Sequence, residues 1–427
     1  MKNTDSKKEL FCDVAIVGGG PAGMIAAIHA AKEGAEVILV EKNATLGKKL
    51  LITGGGRCNI TNAIFDNRVL SQKYGKKGKF LLSPFSKWSA QDTINFFEKH
   101  GMPTKTEAEN RVFPRSNSAQ SVWDVLVDEM EELGITIITS SPVTKVHSLK
   151  NVLTDIETED SIIKAKSFII TTGGTARPET GSSGDGFKWL KKLGHTISAP
   201  NVALVPVKVK EDWVHKAQGL SLPNVKITLV DGAVRSLPRA GKILFTHFGL
   251  SGPLILNMSQ SIKESLNNVG SHGGNSTTLE LDIFPALDTT ALDEKLREHL
   301  GTIQNKKWIN ALSGFVPPLL IPHLVEISGI NHGTLVNKIS RIERLAFIKK
   351  LKALTVTPTG LLGVEKAIVS SGGVALEEID FKTMRSLKIE NLYLAGDILD
   401  FDRPSGGFSL QICWATGFVA GTSAFKK

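Results

Sequence analysis

The apolar positions at the start of the chain fall into three runs. Asp13–Val17 is of strand length and ends in glycine. Ala22–Lys32 carries apolar residues at helical spacing and closes at Gly34, and Glu36–Val40 is a second strand-length run ending in Glu41. This order predicts a strand–helix–strand unit. Residues 48–90, rich in Gly, Lys and Ser, read mostly as loop. Ala90–His100 and Ser118–Leu133 read as helices, Ile135–Thr139 as a strand, and residues 143–170 as antiparallel strands leading into Phe168–Thr172. The pattern changes near Pro200. From there to about Leu287 it predicts short strands: Val202–Val209, Val225–Val230 with a tight turn at Asp231-Gly232, Lys242–Thr246 and Thr278–Phe284, interrupted by a helical Pro253–Leu266. Residues 289–353 read as helices broken at Gly301, Pro317-Pro318, Pro322 and Gly329. Strand-like runs return after Thr357, notably Leu392–Ala395, and a last helix covers about Gly407–Ala424.

An α/β beginning, a strand-then-helix middle and an α/β end predict one nucleotide-binding domain, 1–197 with 357–427, interrupted by an insertion at 198–356. Its strand-rich part is about 198–287 and its helical part about 288–356. A length of 427 residues suits two or three domains. Composition adds exclusions. With 41% hydrophobic and 22% charged residues the chain is neither disordered, collagen-like nor a coiled coil. Cys12, Cys58 and Cys413 lie far apart with no CxxC pair, so neither a disulfide framework nor a zinc site is expected, and a reducing, cytoplasmic setting fits. No HxH, HExxH or clustered His/Cys set appears, so no metal is expected. The uncharged stretch Pro404–Phe425 is long enough to span a bilayer. It holds several glycines with Ser, Thr and Gln, and reads as a buried loop and helix.

The strongest chemical signal is Gly18-Gly19-Gly20-Pro21-Ala22-Gly23, a GxGxxG match at Gly18, Gly20 and Gly23 between a predicted strand and a predicted helix. The first glycine permits the tight turn, the second lets the backbone approach a pyrophosphate, and the third allows close helix–strand packing. Phosphates would sit at the helix N-terminus. Glu41 follows 18 residues after Gly23, where a carboxylate accepts hydrogen bonds from ribose hydroxyls. Near the C-terminus the apolar Asn391–Ala395 ends in Gly396-Asp397, an aspartate of the kind flavoproteins use for the ribityl chain. The chain has one GxGxxG and so lacks a second Rossmann domain for a nicotinamide cofactor. FAD is the expected resident, with NAD(P)H a transient donor.

Thr53-Gly54-Gly55-Gly56-Arg57-Cys58-Asn59-Ile60-Thr61-Asn62 resembles the signature of the bacterial BaiN/RdsA family of FAD-dependent oxidoreductases. Arg111–Ser116, Thr172-Gly173-Gly174, Thr246–Pro253, Ser371–Val374, Gly396–Asp400 and Gly406–Gln411 match further family motifs in order, over essentially the whole chain. Phe408 stands where members often carry tyrosine. The resemblance implies a glutathione-reductase-like (Rossmann) FAD domain of the α/β class, interrupted by a small β-barrel and a helical subdomain. It implies cofactor contacts from Gly18, Gly20, Pro21, Ala22, Gly23, Glu41, Lys42, Gly56, Arg57, Asn59, Val143, Thr172, Gly173, Gly174, Gly396, Asp397, Gly407, Gln411 and Ile412. The implied activity is reduction of an activated C=C bond. One branch resembles the ribosomal RNA dihydrouridine synthase and another carries a bile-acid-reductase label.

Reducing uracil at C5=C6 needs a hydride at C6, a proton at C5 and a way to hold charge on the flavin N1–C2=O edge. Gly406-Gly407, opening the last helix, would aim N–H groups and a helix dipole at that edge, with Gln411-Ile412 in the first turns. A glycine triplet before Arg57, Cys58 and Asn59 lets backbone pass close to a planar ring. Cys58 reads either as a small packed residue or as the general acid. Arg57 suits a phosphate or ring edge better than proton transfer, since it stays protonated. His247, beside Thr246 in the insertion, reads either as structural or as a proton donor or phosphate ligand.

The net charge is +9, and residues 198–356 hold 18 Lys and Arg against 12 Asp and Glu. Two patches stand out: Lys338, Arg341, Arg344, Lys349, Lys350 and Lys352, and Lys73, Tyr74, Lys76, Lys77, Lys79 and Phe80. Such patches bind phosphate backbones without reading sequence. Three functions remain open: an NAD(P)H-fed reductase of a uridine in 23S ribosomal RNA or its precursor, a reductase of a small enone such as a steroid, and an RNA-binding flavoprotein with a mainly structural FAD.

Overall fold

The computed structural model describes residues 7–203, 205–268, 277–362 and 369–425. Leu204, within the expected strand Val202–Val209, lies outside them. The chain divides into two compact units, Met1–Val202 with Ala367–Lys427, and Ala203–Lys366.

The first unit is built on a mainly parallel sheet. Strand Lys8–Val17 runs beside Val37–Val40, with Val14 opposite Val37, and beside Ser161–Ile170, with Val17 opposite Ile170. Thr136–Ile138 extends the sheet past Val37–Val40, and Leu392–Leu394 extends it past Ser161–Ile170, both in parallel. Strands covered on both faces cannot alternate polar and apolar residues. That accounts for the solid runs Val14–Val17 and Val37–Val40, all of them buried. Lys145–Leu149 and Val152–Glu157 add the expected antiparallel hairpin.

Helix Pro21–Lys32 carries Pro in its first turn, where the missing N–H has no partner to lose, and buries every residue from Ala22 to Ile28. It packs against the last helix, Phe408–Ala424. A Cβ on Gly417 would come within 2.5 Å of the Ala22 carbonyl oxygen, and one on Gly421 within 2.3 Å of that of Ala26. Two glycines one turn apart thus let the two backbones touch. The last helix is buried on nearly all sides, the usual place for a helix with no polar face. No described helix is long and apolar enough to cross a membrane.

The stretch 48–90 departs from the loop expectation. It contains helices Asn67–Gln72 and Leu82–Lys87 joined by the 3₁₀ turn Gly75–Leu81. Asp66 caps the first by accepting from the Arg68 and Val69 amides. Gly78 is a packing glycine, since a Cβ there would meet the Ser71 carbonyl oxygen at 1.9 Å. Pro322 likewise opens helix Ile321–Ser328 instead of breaking one.

In the second unit an antiparallel sheet runs in the order Leu354–Val356, Thr278–Asp282, Ser221–Asp231, Arg239–Thr246, Gly249–Ser251, Val207–Val209, Pro358–Leu361. Thr357 alone separates its two end strands, so the sheet curls back on itself. Asp231 pairs with Val234 around Gly232, whose φ is 60°, forming the expected tight turn. Gly249 and Gly252 are close-approach positions: a Cβ would meet the Val207 carbonyl oxygen at 2.3 Å and Ile243 Cα at 2.9 Å. Helices Thr289–Gly301 and Arg341–Lys352 pack over Leu296 and Phe347, and the Arg344–Asp293 ion pair, at 2.6 Å, ties them together.

Two stability predictions follow from this packing. Gly417→Val is expected to cost at least about 2 kcal/mol in urea unfolding, because the obstructing atoms are backbone. Gly301→Ala, where a Cβ meets nothing within 4 Å, should be neutral or slightly stabilising. His29 supplies a pH dependence. It sits between Trp88 and Phe418, at centroid distances of 5.1 and 4.6 Å. Burial, aided by Lys32 and His100, pushes its pKa down from 6.5 to about 3. The folded protein therefore keeps the ring neutral while the unfolded chain takes up a proton. Its contribution is whole above pH 6.5 and is lost as pH falls toward 3. Between pH 7 and pH 5 this group should cost roughly 2 kcal/mol. His29→Phe should lack that component, and an equal acid loss in the variant would refute the assignment.

Candidate functional site

The glycines of the first turn have separate physical roles. Gly18 has φ 108°, and a Cβ on it would meet the Thr171 carbonyl oxygen at 2.8 Å. A Cβ on Gly23 would meet the Gly18 carbonyl oxygen at 1.9 Å. Gly20 is different. It is extended, with φ −80°, and a Cβ there would meet nothing within 4 Å. It lines a cavity holding ≈ 900 Å³ of empty space, part of it open to solvent.

Glu41 forms one wall and is fixed from both oxygens. Oε2 accepts from the Gly19 amide at 2.7 Å, and Oε1 accepts from the Asn43 amide and side chain at 2.8 and 2.7 Å. Lys42 bonds to Ser183 and Asp185 on the opposite wall. Burial alone would raise the Asp185 carboxyl, but Ser183, Lys42 and Lys188 bring it down to about 2. Val143, Thr172 and Gly173 complete the same enclosure with Asp397. Asp397 stands between Lys49, 3.3 Å from Oδ2, and Arg403, 3.4 Å from Oδ1. Burial pushes its carboxyl up, and the two cations more than offset this, holding it below the usual carboxylate range.

These walls fit a dinucleotide. Thr172 Oγ1 and Asp397 Oδ1 are buried with no hydrogen-bond partner, and Gly20 leaves open the space a side chain would fill. Buried polar atoms of this kind are normally satisfied, so a polar ligand is the natural complement. Among the described residues no group of His, Cys, Asp and Glu is arranged to hold a metal ion.

The triplet loop forms a second locus. Gly54, Gly55, Gly56 and Cys58 all have positive φ, 62°, 70°, 85° and 56°, and the Cys58 amide closes the turn onto the Thr53 carbonyl at 2.9 Å. The loop meets the start of the last helix: a Cβ on Gly407 would lie 2.4 Å from the Thr61 carbonyl oxygen, and Asn62 donates to the Gly406 carbonyl at 3.1 Å. Cys58 is fully buried, which drives its thiol pKa up. Asn59 is buried and its Oδ1 has no partner.

The cavity therefore gathers Gly18, Gly20, Pro21, Ala22, Glu41, Lys42, Val143, Thr172, Gly173 and Asp397. Gly23 and Gly396 stand behind the wall as packing glycines, the latter against Ala22. Gly56, Arg57, Cys58, Asn59, Gly174, Gly407, Gln411 and Ile412 are not among its walls. Arg57 lies over the Phe113 ring at 4.2 Å and bonds to Glu107 and Asn117. Gln411 points into protein, accepting from Thr61 and Thr93 and donating to the Trp88 carbonyl. His247 is exposed in the second unit, against Phe248. Sequence reasoning missed Lys49, Asp185, Cys413 and Arg403. Only Arg403 carried a signal, as the last charge before an uncharged run of buried residues. The patch around residue 74 is less available than its composition suggests, since Tyr74 is buried with its hydroxyl donating to the Phe408 carbonyl.

A family model described as the HI0933-like protein Rossmann domain matches residues 12–423. Over 417 residues the chain is 30% identical to the 3-dehydro-bile acid delta(4,6)-reductase of Clostridium scindens, covering 97% of this chain and 99% of that protein. It is 28% identical over 410 residues to the ribosomal RNA dihydrouridine synthase of Escherichia coli, covering 95% and 96%. Among solved structures, the 3-ketosteroid-delta4-(5alpha)-dehydrogenase of Rhodococcus jostii RHA1 matches 100% of this chain and 99% of its own, with a TM-score of 0.55 at 15% identity. That is a likeness of fold.

The two kinds of glycine are separable by experiment. Gly20→Leu is expected to fold with an unchanged melting temperature and to lose bound dinucleotide at least tenfold, since the side chain enters the cavity. Gly23→Leu should instead lower the melting temperature. Equal dinucleotide occupancy in wild type and Gly20→Leu, read from the absorbance of the purified proteins, would show that the cavity is not the binding site.

Proposed function

Given that this chain belongs to the HI0933-like Rossmann-domain family, we propose that it is an FAD-dependent, NAD(P)H-fed reductase whose substrate bond is the C5=C6 of a uridine in 23S ribosomal RNA. The cavity at Gly20, walled by Glu41 and Asp397, is the observation that carries the cofactor assignment. Gly18, Gly20 and Ala22 would hold the phosphates at the start of helix Pro21–Lys32, Glu41 the ribose, and Asp397 the ribityl chain. When bound, FAD supplies the two-electron chemistry of a C=C reduction.

The chain's own residues supply the rest. A proton must reach C5, and Cys58 is the donor in this reading. Its raised pKa means that the thiol carries its proton at neutral pH, and its closed loop fixes where that proton sits. The RNA would be held through phosphate by the exposed face of helix Arg341–Lys352. Arg344 and Lys352 are taken up by Asp293 and Asp282, which leaves Lys338, Arg341, Lys349 and Lys350 exposed as the contact set. Such a substrate belongs to the cytoplasm. A second reading, reduction of a small enone, is favoured by the 30% identity to the bile-acid reductase over nearly the whole chain.

The test is mass spectrometry of 23S ribosomal RNA from a strain lacking the gene. The expected result is loss of one dihydrouridine, restored by the wild-type gene. Cys58→Ala should retain FAD while restoring the modification at least a hundredfold more slowly. Unchanged dihydrouridine, together with NAD(P)H oxidation by purified protein on a steroid enone, would replace this reading with the second.

A further inference from the structure

The cavity wall carries a charge arrangement that substrate chemistry does not account for. The Arg403 side chain is fully buried at 0% exposure, while Asp397 keeps 14% and Lys49 26%. Arg403 Nη2 donates to the Leu399 carbonyl at 2.8 Å, so the segment after Asp397 folds back over its own backbone. A buried guanidinium costs several kcal/mol unless compensated. Here the one carboxylate beside it is shared with a second cation, so the trio holds a net charge of +1. Neighbouring charges do not cancel it. Lys77 is paired with Asp400 at 2.7 Å, and Asp185 is matched by Lys42 and Lys188. Glu41, a carboxylate on another wall, is satisfied by amide groups. The field reaches the cavity: Cys413, on its wall, feels Asp397, Arg403 and Lys49 together.

We infer that the Lys49–Asp397–Arg403 trio raises the reduction potential of the bound flavin by fixing one net positive charge beside it. This rests on the proposal that FAD occupies the cavity. A reduced flavin carries more negative charge than an oxidised one, so a positive wall favours reduction. A unit charge acting over about 10 Å at an effective dielectric near 20 shifts an equilibrium by roughly tenfold. Lys49 and Asp397 face the cavity directly. Arg403 acts through Asp397 and is a positioning residue.

The test is an equilibrium redox titration of the flavin-loaded protein against a reference dye. Arg403→Met and Lys49→Met should each favour the oxidised form about tenfold, which is about 30 mV for a two-electron couple. Asp397→Asn should move the potential the opposite way, and Arg403→Lys should keep it near wild type. Lys49 is partly exposed, so Lys49→Met keeps the test alive if Arg403→Met does not fold. Flavin-loaded variants with unchanged potentials would overturn the inference and leave the flavoprotein reading standing. A wild-type protein that binds no FAD would overturn both.

Discussion

The backbone of helix Pro21–Lys32 touches other backbone on three sides, and no side chain can stand at those contacts. Gly23 rests on the Gly18 carbonyl, Gly417 on that of Ala22, and Gly421 on that of Ala26. Gly396 adds a fourth close approach, against the Ala22 side chain. These contacts fix the helix axis, and with it the direction of its unpaired N-terminal amides. They also bring the ends of three parallel strands, at Val17, Val40 and Leu394, to one place. The cavity is the space left in front of that junction, and Gly20 is the residue that keeps it open.

Features whose parts are contiguous in sequence were legible. The turn Gly18–Gly23, the acid at Glu41 and the strand ending in Asp397 each announce themselves within a few residues, and all three meet at the cavity. Features made by pairing across the chain were not. Nothing near Lys49 says that its partner lies at residue 397, and nothing near Lys42 points to Asp185. Helix phase also escapes a linear reading: Gln411 and Cys413 are two residues apart, yet Cys413 faces the cavity and Gln411 bonds to Thr61 and Thr93. Composition misled between residues 48 and 90, where glycine serves helix packing at Gly78 and lysine lines short helices capped from outside.

Charge counting has the same weakness in the second unit. Its excess of cations is real, but part of it is spent on internal structure. Arg344 and Lys352 hold helices and strand ends together, and Arg235 pairs with Glu280 across neighbouring strands. The glycines of Thr246–Pro253 are explained by strand approach, so that motif marks a fold requirement as well as any role for His247.

The order of elements in the sheet has a consequence for biosynthesis. The strand Leu392–Leu394 lies next to Ser161–Ile170, and the last helix covers the first one. A ribosome making about 5–20 residues per second produces the opening strand–helix–strand unit early and its covering helix at the very end. Throughout that interval the apolar face of helix Pro21–Lys32 has no permanent neighbour. The nascent chain thus passes most of its synthesis with its most hydrophobic helix awaiting a partner not yet made, and cofactor loading waits for release from the ribosome.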